Sequence, residues 1–111
     1  MAVTILNIIP RKQAEATQTA QYTSSGVKTI IDKFTATNTS GSAVTFSVNL
    51  VALGASESNS NLVLKQYSIA AGACYLCPEL VGQTLESGGF ISTLAGAANA
   101  ITISASGRQI S

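Results

Sequence analysis

The stretch Val44-Thr45-Phe46-Ser47-Val48-Asn49-Leu50-Val51-Ala52 decides the fold. Val44, Phe46, Val48, Leu50 and Ala52 are apolar, and Thr45, Ser47 and Asn49 between them are polar. Successive strand side chains point to opposite faces. A period of two therefore puts one face in a core and the other in solvent. Turn formers bound the run, with Asn38-Thr39-Ser40-Gly41-Ser42 before it and the polar residues 54–61 after it.

Outward from this strand the same period recurs. Residues 27–38 form the longest β-like run, with Ile30, Phe34 and Ala36 expected on one face and Ile31, Thr35 and Thr37 on the other. Residues 62–69, 90–95 and 100–106 read as further strands, and 73–77 as a short one stopped by Pro78. Pro78-Glu79-Leu80-Val81-Gly82 suits a single helical turn, with Pro at its start and Gly at its end. At the N-terminal end, Val3 to Ile9 reads as a strand closed by Pro10. A short helical turn over 12–16 and a strand through Tyr22 follow, and residues 107–111 are expected as a tail. About eight short strands, with turn signals every 8–12 residues, predict an all-β fold. We expect a single antiparallel β-sandwich over residues 1–111, jelly-roll or immunoglobulin-like, with 1–12 as its N-terminal strand or an arm.

Composition excludes much. The chain has 111 residues, of which 10% are charged, and a formal net charge of +1. Its Val, Ile, Leu and Phe suffice for one modest core. Without His there is no Ser-His-Asp triad, no Cys-His dyad and no His-liganded zinc. The acids Glu15, Asp32, Glu57, Glu79 and Glu86 are scattered, and only Glu79 and Glu86 flank a common turn. No G-x-S-x-G and no phosphate-binding loop is present. A charge-poor chain has no basic footprint for nucleic acid and no polybasic patch for a membrane. Lys28, Lys33 and Lys65 could form a stripe, but Asp32 and the low net charge argue against it. We expect no enzyme, no cofactor, no metal and no small-molecule substrate.

Cys74 and Cys77 form a lone C-x-x-C with neither a thioredoxin-like context nor a second zinc ligand pair. Two small structural thiols are expected, as in a reducing cytosol. Arg11 and Lys12 follow the apolar run instead of preceding it, unlike a signal peptide. Asn38-Thr39-Ser40 matches a glycosylation sequon, but it is also what a β-turn wants. The abundant Ser and Thr are read as solvent-side strand positions, forming a surface suited to docking in assemblies.

Several phrases together carry a resemblance. They are Tyr22-Thr23-Ser24, Ile30-Ile31-Asp32-Lys33-Phe34-Thr35-Ala36-Thr37-Asn38-Thr39-Ser40-Gly41, Ile69-Ala70-Ala71-Gly72, Leu85-Glu86-Ser87-Gly88-Gly89-Phe90-Ile91-Ser92 and Ile101-Thr102-Ile103-Ser104-Ala105-Ser106-Gly107-Arg108. With the 44–51 strand they resemble small β-sandwich structural proteins of tailed bacteriophages, over roughly residues 20–108. The resemblance implies a non-enzymatic virion component made in the host cytoplasm. Capsid cement or decoration on the outer shell is favoured over a neck, tail-completion, tail-tip or fibre-associated role. A carbohydrate- or receptor-binding module is the rival from another class, but only Tyr22, Tyr67 and Tyr75 are available for stacking, and there is no Trp. The implied partners are the major capsid protein and further copies of the chain, as a dimer or trimer. The residues expected at such contacts are Val3, Ile5, Leu6, Ile8, Ile9, Arg11 and Lys12. An arm of this kind could be deleted over residues 2–9 without loss of the fold. An ordinary first strand could not.

Overall fold

The computed structural model describes residues 2–111. Met1, which belongs to the expected 1–12 segment, lies outside the described residues. Nine strands form among the described residues: β1 (Val3–Gln13), β2 (Thr19–Thr23), β3 (Lys28–Asn38), β4 (Val44–Val51), β5 (Leu62–Ile69), β6 (Cys74–Tyr75), β7 (Thr84–Leu85), β8 (Phe90–Ala95) and β9 (Ile101–Ile110). They make two antiparallel sheets. One has the order β1-β9-β3-β6, with β7 also on β3, and the other is β2-β8-β4-β5.

This order is that of a jelly roll and not of an immunoglobulin sandwich. β1 pairs with β9, β2 with β8, β3 with β6 and β7, and β4 with β5. The chain is thus one long hairpin, doubled at residues 52–61 and rolled so that alternate pairs fall in alternate sheets. β6 and β7 are the two ends of one edge strand, interrupted by residues 76–83. The excursion sends Cys77 and Leu80 into the core and ties back to β3, where Gly82 N–H donates to the Ile31 carbonyl at 2.7 Å. The expected helical turn is instead a series of tight turns, with Leu80 N–H on the Cys77 carbonyl and Val81 N–H on that of Pro78. Gly82 ends it at φ +84°, a conformation that side chains resist. The short strand expected over 73–77 shrinks to Cys74–Tyr75.

The core lies between the sheets, where Phe34 of β3 meets Phe46 of β4 with ring centroids 6.2 Å apart. Ile9, Ile31, Val48, Leu80, Ile91, Ile101 and Ile103 are among the fully buried side chains around them. Burying each such side chain is worth about 1.5–3 kcal/mol.

Bulges move residues off their expected faces. On β3 the register slips between Ile31 and Lys33, so Ile31 faces inward with Phe34 and Ala36, and Ile30 faces outward. An even count across this strand therefore misplaces both isoleucines. On β1 two slips, between Leu6 and Ile9 and between Ile9 and Lys12, bury the neighbours Ile8 and Ile9 together. Pro10 does not close this strand. β1 is a sheet edge, where proline's missing N–H costs no ladder bond, and it continues to Gln13. The helical turn over 12–16 does not form. Residues 107–111 are no tail, since β9 runs through Ile110 and Ser111 exchanges backbone hydrogen bonds with Ala2. Gly107 sits between the bulges of β1 and β3, where a Cβ would collide with the Ile30 carbonyl oxygen.

Candidate interaction surface

The seven expected contact residues do not act as one group. Ile8 and Ile9 are core, 4% and 1% exposed, and Leu6 packs against the core from its margin. Lys12 forms an ion pair with Glu15 at 3.0 Å. Val3, Ile5 and Arg11 remain on the surface. The run is the first strand of its own sheet, and deletion through residue 9 would remove core side chains.

Val3 and Ile5 are 54% and 79% exposed and point to the outer face of the five-stranded sheet. Directly opposite residues of an antiparallel pair share a face. Val3 stands beside Ile110, which stands beside Lys28; Ile5 stands beside Arg108, which stands beside Ile30. Val3, Ile5, Ile30 and Ile110 thus make an apolar end to this face. Asp32, lifted in its bulge, takes a forked contact from Arg108, with Nη2 and Nε donating at 2.9 and 3.0 Å. Lys28 reaches Glu86 at 3.6 Å.

Past the Arg108–Asp32 pair lies a shallow depression of about 270 Å³, lined by Asn7, Arg11, Lys33, Thr35, Ser104, Ala105 and Ser106. Its two cations have no ion-pair partner among the described residues. The sequence marked Arg11 for contact and considered Lys33 separately. They line one depression because β1 and β3 flank β9 on opposite sides. Lys28, Lys33 and Lys65 form no stripe: Lys28 is paired, Lys33 lines this depression, and Lys65 lies on β5 in the other sheet.

The outer face of the four-stranded sheet is roofed. Ser47, Asn49 and Ser92, expected in solvent, are 6%, 3% and 0% exposed. The loop 52–61, with a 3-10 turn at Asn59–Asn61, folds over Asn49 and Ser92, and the Ser47 hydroxyl accepts from the Gln66 N–H of β5 at 2.8 Å. Asn49 Nδ2 donates to the Asn61 Oδ1 at 2.6 Å and to the Ser58 carbonyl at 3.0 Å. The Ser92 hydroxyl donates to Glu57 at 2.7 Å and accepts from Gln18 at 2.8 Å. That hydroxyl, followed by a backbone N–H bond, holds the Glu57 carboxyl below the ordinary carboxylate range. A cleft of about 220 Å³ opens beside this roof, and its lining includes Glu57, Lys65 and Gln66. No fully buried side-chain polar atom among the described residues lacks a partner.

The other residues singled out in the sequence have structural partners. Asn38 is fully buried; its amide donates to the Ser42 and Ile69 carbonyls, both at 2.8 Å, and its oxygen accepts from the Ser40 N–H and hydroxyl. It anchors the turn, as a β-turn reading requires, and every amide position is used. Cys74 and Cys77 are not bonded to each other. Cys77 is core, with its thiol pushed up to about 12 by burial, whereas Cys74 is exposed. Tyr67 and Tyr75 stack at 3.9 Å across the open edges of the two sheets, and Tyr75 donates to Glu79. Glu79 and Glu86, on either side of the expected turn, therefore serve different partners. Tyr22 hydroxyl bonds with Thr29 and accepts from Gln109, both at 2.8 Å.

The described chain has no helix long and apolar enough to cross a membrane. In comparison with known proteins, no family model, no curated protein and no solved structure matches the chain.

Proposed function

We propose that this chain is a non-enzymatic structural protein of a tailed-phage virion, a cement subunit that binds across major capsid subunits. It uses the outer face of the five-stranded sheet. The observation carrying this reading is the concentration of unpartnered groups on that face. Exposed Val3 and Ile5 lie at one end of it, and Arg11 and Lys33, without counter-ions, lie along it. Such a face complements an acidic surface with an apolar margin, and modest contacts gain strength when repeated over a shell. The jelly-roll topology fits the reading, because viral capsid domains use it, though so do lectins. Against a glycan-binding role, Tyr67 and Tyr75 each commit one ring face to the other and Tyr22 is tied into the sandwich.

The test is the copy number of this chain in purified particles of the phage that encodes it, by quantitative mass spectrometry. A ratio near that of the shell protein is expected, and K33E should lower it. A ratio of a few copies per particle would move the chain to the neck or tail. Its absence from particles would remove the virion reading.

A further inference from the structure

We infer that the open edge of β1, at Val3 to Leu6, is a two-fold self-pairing site at which a second copy of this chain adds its own β1 antiparallel, joining two five-stranded sheets into one. The inference goes beyond the virion reading and does not depend on it, since edge pairing is a property of the isolated chain.

The argument starts from which backbone groups are free. Ala2 and Ser111 exchange both backbone hydrogen bonds. In an antiparallel ladder, bonded and non-bonded pairs alternate. Thr4 and Leu6, opposite Gln109 and Gly107, therefore bond inward to β9. Val3 and Ile5, opposite Ile110 and Arg108, turn their N–H and C=O groups to the free edge. These are also the residues whose apolar side chains stand most exposed on this strand.

The remaining edges are blunted, as sheet edges usually are. β2 carries a bulge between Ala20 and Tyr22. β5 carries Lys65 and a bulge at the left-handed Gln66. The β6–β7 edge is broken by residues 76–83. β1 itself is irregular from Leu6 to Lys12, lacks an N–H at Pro10, and bears Arg11 and Lys12. Residues 2–6 are the one regular, uncharged length of edge among the described residues.

A second copy fits this length by symmetry. With the two-fold axis at Thr4, Val3 of each copy faces Ile5 of the other, and each pair exchanges both N–H···O bonds. Thr4 faces its own counterpart in a non-bonded pair, consistent with its inward bonds to β9. The four apolar side chains fall on one face of the joined sheet. Arg11 and Lys12 of the two copies are carried to opposite ends of the seam, so like charges do not meet. The seam spans only residues 2–6 of each copy, short beside the surface that stable complexes bury, so the association is weak and concentration-dependent.

Sedimentation equilibrium of the full chain over a wide concentration range tests this, with amide hydrogen exchange alongside. The expected result is a monomer–dimer equilibrium. Val3 and Ile5 amides become protected as concentration rises, while those of Thr4 and Leu6 are protected throughout. I5P removes an edge-facing N–H without touching a bond to β9, and should leave a folded monomer. Should I5P fail to fold, I5K places a charge in the seam and must give the same loss of dimer. A monomer at every concentration, or a dimer that persists in I5K, overturns the proposal. Neither result bears on copy number in particles, so the two readings fail separately.

Discussion

The two outer faces of the sandwich are built from similar residues and end in opposite states. On the four-stranded sheet, Asn49 and Ser92 are sealed beneath the loop 52–61 and the side chain of Gln18, Ser47 accepts from the Gln66 N–H of β5, and their hydrogen bonds are made within the chain. On the five-stranded sheet, Thr35, Ser104 and Ser106 line an open depression between Arg11 and Lys33. The difference comes from what crosses each face. Asn49 and Ser92 find partners in a loop long enough to fold back, whereas Thr35, Ser104 and Ser106 make no side-chain hydrogen bond among the described residues. A polar strand face is therefore not a solvent face by default. It becomes part of the interior when a neighbouring loop supplies matching donors and acceptors.

The largest effect separates the two ends of β1. I9A should cost about 3 kcal/mol by opening a cavity in the core, whereas I5A should stay within about 0.5 kcal/mol, as exposed substitutions do. Urea unfolding of both variants reads this contrast, and equal costs would mean that the first strand is uniformly core or uniformly surface. Next in size is the roof. N49L leaves the Ser58 carbonyl without its amide donor and should cost about 2 kcal/mol. S104A, on the open face, should be near neutral, because Ser104 makes no side-chain hydrogen bond among the described residues. If the two cost the same, the roof is not held by its polar network.

The smallest effect is pH-dependent. Glu57 is held below its ordinary value by the Ser92 hydroxyl, and Glu15 by the Gln21 amide followed by Lys12. A depressed carboxyl contributes stability above its unfolded-state value and loses it as pH falls through the folded value. The unfolding midpoint should therefore fall between neutral pH and about pH 3, and E57Q should flatten part of that fall. A midpoint in E57Q that falls as steeply as in the parent would show that this carboxylate does not hold the roof.

Much of the fold was legible in particular residues. The Val44–Val51 alternation and the breaks at Asn38-Thr39-Ser40-Gly41 and at 54–61 define an all-β chain, and the strands at 62–69 and 90–95 match in extent. The errors gather at bulges and edges. Ile30 and Ile31 exchange faces because one extra residue at Asp32 breaks the count of two. Pro10 reads as a stop, but it is harmless on an edge strand. Residues 107–111 look like a tail because Gly-Arg-Gln carries no alternation, yet their backbone completes the ladder with β1 and β3. The surface was half legible: exposed apolar residues near the N-terminal end were readable, but the shared depression of Arg11 and Lys33 was not. Their strands lie far apart in sequence and are brought together only by β9 between them.

The sequence by itself determined the strand class, one modest core without catalytic histidine, and the turns that Asn38 and the glycines demand, because these depend on local period and backbone preference. Only the tertiary structure decided the jelly-roll order, which isoleucines of β1 and β3 face inward, which polar face is roofed, and which edge stays open. Those outcomes depend on pairing between distant segments, and a single bulge there reverses the facing of every residue beyond it.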